Sequence, residues 1–317
     1  MVDPRPVLTL AHSGDPDDVF MWWPATGMVD PSGAPLPGER GQPAIDTGRF
    51  RFRAVPGDIS AFNTAAAGDA PYDVTALSVR AWANVADRYA LTSFGGSFGE
   101  GYGPKVVTKD AALDLDALRR PGVRIGVPGL RTTAFLALGL LLGTEALADA
   151  SRFVELPFDA IIPCVVRGEV QAGLVIHEGQ IAFAQAGLHE VVDLGAWWGR
   201  TRNLPLPLGV NAVKRDLDQR FGPGSTAAIV RTLRDSLVYA LTHRERSIDA
   251  SMPFARANAL ASGTPEPTRA DVERYLGMYV TGLTRDMGDT GRHAIATLLG
   301  EGATAGLCPR VDRIETL

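Results

Sequence analysis

Three stretches of the chain repeat one pattern of apolar and polar positions: an apolar run, a tight polar turn carrying hydroxyl or acid groups, then an amphipathic segment. That order predicts the βα unit of a parallel sheet. The first unit has a strand over 7–12, the turn Ser13-Gly14-Asp15-Pro16 and a helix from about Asp17 through Trp22. The second has a strand over 72–77, Ser78 in the turn and a helix over 79–89. The third has a strand over 123–127, then Pro128-Gly129, then a helix with Thr132 and Thr133 in its first turn. A further apolar run, Ala172-Gly173-Leu174-Val175-Ile176, stops on His177-Glu178-Gly179-Gln180. Such a short run reads as a buried strand, and in open α/β sheets ligands sit at the carboxyl ends of strands. The pattern therefore places His177 where chemistry is expected.

Between these units, the proline-rich stretch 24–48 predicts a surface insertion or lid, with a strand resuming over 45–52. The glycine-dense run 95–104 enters a strand at Lys105-Val106-Val107 and predicts a flexible connector lining a ligand site. A second proline-rich passage covers 203–209. The segment between these connectors has the size of a lobe. The expected organisation is a discontinuous first lobe, 1–105 plus 206–317, with a second lobe, 106–205, inserted through two crossings that can hinge. Helices are expected over 226–244 and 271–299, packed back on the first lobe. The greasiest segment, 132–143, is too short to cross a bilayer and predicts a buried helix.

Composition narrows the function. A length of 317 residues exceeds what one hydrophobic core usually organises, in keeping with two lobes. With 31 basic and 36 acidic residues, the net charge of −5 offers no basic face for nucleic acid. Cys164 and Cys308 form no CxxC pair and are expected to be inert small hydrophobes. The first residues carry an acid and two prolines where a secretory signal needs a basic region and an apolar block, so a cytoplasmic protein is expected. GxGxxG, Walker and HExxH patterns are absent, and no cofactor or metal is expected.

A strand-end histidine is a candidate general base because its pKa lies near neutrality and a carboxylate can orient it. Alone, His177 would more often cap the strand by bonding a carbonyl. Glu178 is adjacent, but successive residues of extended chain point oppositely, so it need not serve the base. Ser78, Thr132 and Thr133 stand at helix starts, where hydroxyls cap the backbone or help hold an anion. Capping explains each one singly; convergence on one cleft would give them a shared role. His12, Asp15, Asp17 and Asp18 form a polar cluster that could in principle hold a divalent ion. The helix dipole accounts for Asp17 and Asp18 without one, and an acidic rim there could also bond sugar hydroxyls. Trp197 and Trp198 could stack on an aromatic ligand, although core packing is the commoner use of such a pair. His189, His243 and His293 lie in polar or helical contexts and are expected to be solvated.

Several strings taken together point further: Ser13-Gly14-Asp15-Pro16-Asp17-Asp18-Val19-Phe20-Met21, Gly99-Glu100-Gly101-Tyr102-Gly103-Pro104, Leu174-Val175-Ile176-His177-Glu178-Gly179-Gln180, Asp193-Leu194-Gly195-Ala196-Trp197-Trp198 and Leu204-Pro205-Leu206-Pro207-Leu208-Gly209. In these the chain resembles the 1,4-dihydroxy-6-naphthoate synthase family of the futalosine route to menaquinone, over nearly its whole length. The resemblance implies an α/β, two-lobed fold like the type II periplasmic binding proteins, with the ligand cleft between the lobes. It implies a lyase-type enzyme that converts cyclic dehypoxanthine futalosine to 1,4-dihydroxy-6-naphthoate, with His177 as proton acceptor. Ala76, Leu77 and Ser78 match one substrate-contacting segment, Thr132 and Thr133 another, and Ser13, Asp17 and Asp18 belong to the first loop. The expected partner is a small anionic substrate, with neither nucleic acid nor membrane, and a homodimer is allowed for. Many members read SPCPNDTF in the first loop, so Gly14, Asp15, Asp17 and Val19 depart from it, while a variant with an acidic SPDxDDAF run also exists. Position 76, often lysine in the family, is alanine here, and the insertion at 24–48 is additional. Two other readings stay open: a small-carboxylate-binding protein of the same fold, and a diverged paralogue such as a chorismate dehydratase-like enzyme.

Overall fold

The computed structural model describes residues 3–177 and 179–317. Its first sheet contains β1 (Val7–Ser13), β2 (Arg51–Gly57), β3 (Val74–Ser78), β4 (Tyr89–Leu91) and β5 (Ser97–Gly99), completed by the late strand β11 (Leu206–Lys214). The second sheet is built from β6 (Lys105–Thr108), β7 (Ile125–Val127), β8 (Phe153–Glu155), β9 (Ala172–Val175) and β10 (His189–Asp193). Strand order is β2-β1-β3-β11-β4 in the first, with β5 also on β11, and β10-β6-β9-β7-β8 in the second. β1 runs parallel to β2 and β3, and β7 parallel to β8 and β9, whereas β11 and β6 run antiparallel to their partners. The carboxyl ends of β1, β3, β7 and β9 consequently supply the residues that face the cleft between the sheets.

The helices are α1 (Pro16–Thr26), α2 (Ile59–Ala67), α3 (Val79–Trp82), α4 (Leu115–Arg119), α5 (Thr133–Leu142), α6 (Thr144–Leu147), α7 (Phe158–Arg167), α8 (Gly179–Ala182) and α9 (Leu194–Arg202). They continue with α10 (Leu217–Phe221), α11 (Ser225–Thr242), α12 (Arg244–Ser262), α13 (Arg269–Tyr279), α14 (Gly282–Arg285) and α15 (Gly288–Thr304). Among the described residues no helix is long and apolar enough to cross a membrane. α5 is nearly all buried, and its apolar content serves a core that runs from Leu77 and Val210 of the first sheet to Ile125 and Leu174 of the second. α7 lies so close to β9 that a Cβ on Gly173 would meet Ile161 Cγ2 at 2.6 Å. Glycine at that position lets helix and strand approach, which fixes the height of the β9 end that carries His177.

Several elements differ from the sequence expectation. The helix expected over 79–89 stops at Trp82, because Trp82 turns into the core and donates its indole N–H to the Tyr89 carbonyl, and the chain then pairs with β11 as β4. The strand expected over 45–52 begins only at Arg51 and runs to Gly57; Pro56 is tolerated because β2 is an edge strand. α12 was not anticipated. Its buried side consists mostly of small residues, Ser247, Ala250, Ser251 and Ala255, interrupted by Pro253, so its apolar signal is weak. The single helix expected over 271–299 is three, broken where Thr281 and then Asp286 leave helical geometry. The stretch 24–48 is a connector pinned by a Val29–Pro35 bridge, with Met28 and Val29 packed on Trp23 and Phe254. Trp198 is fully buried, and Arg202 lies over both Trp197 and Trp198, 4.9 and 5.0 Å from the ring centres; neither ring lines the cleft.

Candidate active site

Each wall of the cleft comes from a strand end. β1 ends at Ser13, whose N–H donates to Asp18 Oδ2 at 2.8 Å and whose hydroxyl accepts from the Asp15 N–H. Pro16 at the first helical position and acids in the first turn are the usual start of a helix, and here Asp17 and Asp18 are also turned into the cleft and buried. β3 ends on Ala76-Leu77-Ser78. The Ser78 N–H and hydroxyl both pair with the Asn63 carboxamide, and the hydroxyl accepts there, which leaves its proton to donate. β7 leads to Thr132, which caps α5 by accepting the Phe135 N–H at 3.2 Å and gives its own proton to the Gly129 carbonyl. Thr133 donates to the Leu208 carbonyl of β11 at 2.7 Å, tying α5 to the first sheet. Both threonine hydroxyl protons are thus committed within the protein. What this wall still offers a ligand is the backbone N–H groups of the first turn of α5, at Thr133 and Ala134, which have no intrahelical acceptor.

His177 lies two residues beyond Val175, the last residue of β9, with φ +53°, a left-handed conformation unusual for a non-glycine residue. Its Nδ1 is 2.8 Å from Asp15 Oδ2, and its ring meets Phe158 edge-on at 5.1 Å. The imidazole side chain is 18% exposed and the Asp15 side chain 5%. Ser13, Ala76, Leu77, Ser78, Asp17, Asp18, Thr132, Thr133 and His177 therefore share one cleft of about 710 Å³. A second hollow of about 610 Å³ adjoins it past His177, Asp15 and Phe158. Glu178 lies outside the described residues. His12 does not join the acidic cluster: it is 2% exposed, bonds the Ser13 carbonyl through Nδ1 at 2.7 Å, and faces Trp23 and Met28 on the far side of the turn.

Sequence reasoning missed Asp15 as the partner of His177, and Gln180, Tyr275, Tyr279 and Asn211 as residues of the cleft, which all five line. Gln180 donates to the Tyr279 hydroxyl and keeps a buried, unpartnered Oε1. Its place in the string ending at Gln180 was the available signal. Tyr275 donates to Asp17 Oδ1 at 3.3 Å. Burial, with Asp18 and Asp15 close by, pushes the Asp17 carboxyl well above the usual carboxylate range. Burial raises Asp18 to about 6 against the opposing hydrogen bond from Ser13, and raises Asp58 at the start of α2. Burial also holds the Tyr279 phenol far above 10, and holds His12 neutral, with its pKa lowered to about 4. No lysine or arginine lines this cleft among the described residues.

Polar turns at four strand ends, one histidine and a helix start thus converge on one cavity, and comparison with known proteins gives this arrangement a context. Residues 8–304 match the family model described as menaquinone biosynthesis. The chain belongs to that menaquinone biosynthesis family. It is 38% identical over 234 residues to a 1,4-dihydroxy-6-naphthoate synthase of Thermus thermophilus, covering 74% of this chain and 77% of that one. It is 34% identical over 237 residues to a protein of the same name from Streptomyces coelicolor, covering 75% and 78%. A crystal structure of an Archaeoglobus fulgidus protein matches this family member with a TM-score of 0.76 at 36% identity, covering 95% of this chain and 98% of that one. An alkanesulfonate-binding protein of Xanthomonas axonopodis matches at TM-score 0.60 and 16% identity, covering 97% and 96%. At that identity the likeness speaks for the fold alone, and the menaquinone family member has the periplasmic-binding-protein-like architecture.

Proposed function

We propose that this protein is a 1,4-dihydroxy-6-naphthoate synthase in which His177 accepts the proton that starts breakdown of cyclic dehypoxanthine futalosine. The observation that carries the reading is the position of His177: a mostly buried imidazole just past the end of β9, in the same cleft as Ser78 and the first turn of α5. An anionic end of the substrate is met by the Ser78 hydroxyl and by the Thr133 and Ala134 N–H groups, since no cation lines the cleft among the described residues. Ala76 and Leu77 supply backbone and apolar surface beside it, while Ser13, Asp17 and Asp18 bound the opposite side. The carboxyl oxygens of Asp17 and Asp18 on that side suit substrate hydroxyls rather than a second anion.

Incubation of the purified protein with cyclic dehypoxanthine futalosine is expected to release the naphthoate, and His177→Asn to abolish release while substrate affinity stays within about threefold. Ligand held without turnover by the unaltered protein would instead identify a carboxylate binder. Turnover retained in His177→Asn would remove the histidine from its role as base.

A further inference from the structure

Asp15 occupies the N-cap position of α1, where an aspartate ordinarily accepts from the N–H of the second or third helical residue. Here its side chain makes no capping bond. The carboxylate instead reaches His177, on the other sheet, at 2.8 Å, while the His177 backbone adopts φ +53°. One element gives up a cap and the other takes a strained conformation, and the two departures meet in a single contact. Phe158 also meets the ring edge-on.

We propose that Asp15 is the positioning residue of the base. By accepting from Nδ1, it holds the imidazole in the Nδ1–H tautomer, so that Nε2 is the nitrogen that takes the substrate proton, and it balances the imidazolium once that proton has moved. Since Asp15 follows β1 and His177 follows β9, the contact joins the two sheets. The proposal rests on His177 acting as the base.

The groups around the imidazole are predominantly acidic. Asp15, Asp17 and Asp18 face it from the start of α1 and Asp58 from the start of α2, while Asp159 of α7 lines the same outer hollow and Tyr275 and Tyr279 of α13 line the inner cleft. Changing Asp15 alone therefore alters one carboxylate in hydrogen-bond contact while the more distant ones remain.

The test compares Asp15→Asn, Asp15→Glu and His177→Asn with the unaltered protein on the same substrate. Asp15→Asn is expected to lower kcat about 100-fold or more with KM within about threefold, because an amide no longer enforces the tautomer. The acid limb of its kcat profile should move to lower pH, since loss of the carboxylate disfavours the imidazolium. Asp15→Glu should recover about tenfold of the loss. In ¹⁵N-imidazole spectra of the free protein, His177 should show protonated Nδ1, and Asp15→Asn a mixture of tautomers. An Asp15→Asn protein with unchanged kcat, acid limb and tautomer, beside an inactive His177→Asn, overturns the Asp15 role and leaves the base in place. An active His177→Asn overturns the base and the Asp15 role with it.

Discussion

Helices α1 and α5 both begin just after a parallel strand and both direct their first turn into the cleft, yet α1 brings Asp15, Asp17 and Asp18 there and α5 brings Thr132, Thr133 and Ala134. At the start of α1, the positive end of the helix dipole is met by the chain's own acids, so an added anion finds repulsion and no vacant donor. At the start of α5, a threonine cap takes one N–H, and the following N–H groups remain for a ligand. The same local geometry thus gives the cleft a face suited to neutral or donating groups and a face suited to an anion. The difference resides in side chains of two or three residues, not in the fold.

Putting a carboxylate on the anion face breaks the contrast most severely. Ala134→Asp should lower kcat/KM on the order of 10³-fold through like-charge repulsion, and because Ala134 is buried the melting temperature, measured alongside, separates that loss from unfolding. Activity within threefold of the unaltered protein would show that the anion binds elsewhere.

The next effect belongs to the α1 side alone, because the start of α5 carries no ionisable group. The folded state holds a proton on Asp18 up to about pH 6, whereas the unfolded chain releases it near the ordinary aspartate value of 3.8, so this group makes stability fall as pH rises through that interval. His12 has the opposite sign: its folded pKa of about 4 lies below the unfolded 6.5, so stability is lost as pH falls through that interval. Each shift corresponds to about 3 kcal/mol, and between about pH 4 and 6 the two oppose one another. Denaturant unfolding against pH should therefore show His12→Asn losing stability relative to the unaltered protein as pH rises, and Asp18→Asn gaining it. Parallel curves for all three proteins would refute the buried-charge account of α1.

The smallest effect sharpens the α5 side. Thr132→Ala removes the cap at a cost of about 1 kcal/mol, read as a melting temperature about 2–4 °C lower, and Thr132→Ser should restore most of it. A Thr132→Ala protein as stable as the unaltered one would mean that the helix start is held by its surroundings.

Much of this was legible along the chain because strands and turns are local signals. The run ending at His177, the hydroxyl of Ser78 and the helix start at Thr132 and Thr133 all follow from apolar periodicity meeting a helix start. Where small residues carried a helix, as in α12, or where Trp82 sought the core instead of continuing its helix, the local signal was weak or was overruled by packing. The role of Trp198 was equally undecidable locally, since a tryptophan after a strand suits a ligand or a core alike, and only burial distinguishes them.

The order of apolar and polar residues determined by itself that this is an α/β chain, that its polar turns stand at strand ends and that a histidine stands at one of them. Only the tertiary structure decided which carboxylate serves that histidine, because Asp15 and His177 are brought together by the packing of two sheets and by no relation along the chain. It likewise separated His12 from the acids beside it in sequence, since strand direction and burial, not proximity along the backbone, determine which side of a turn a side chain faces.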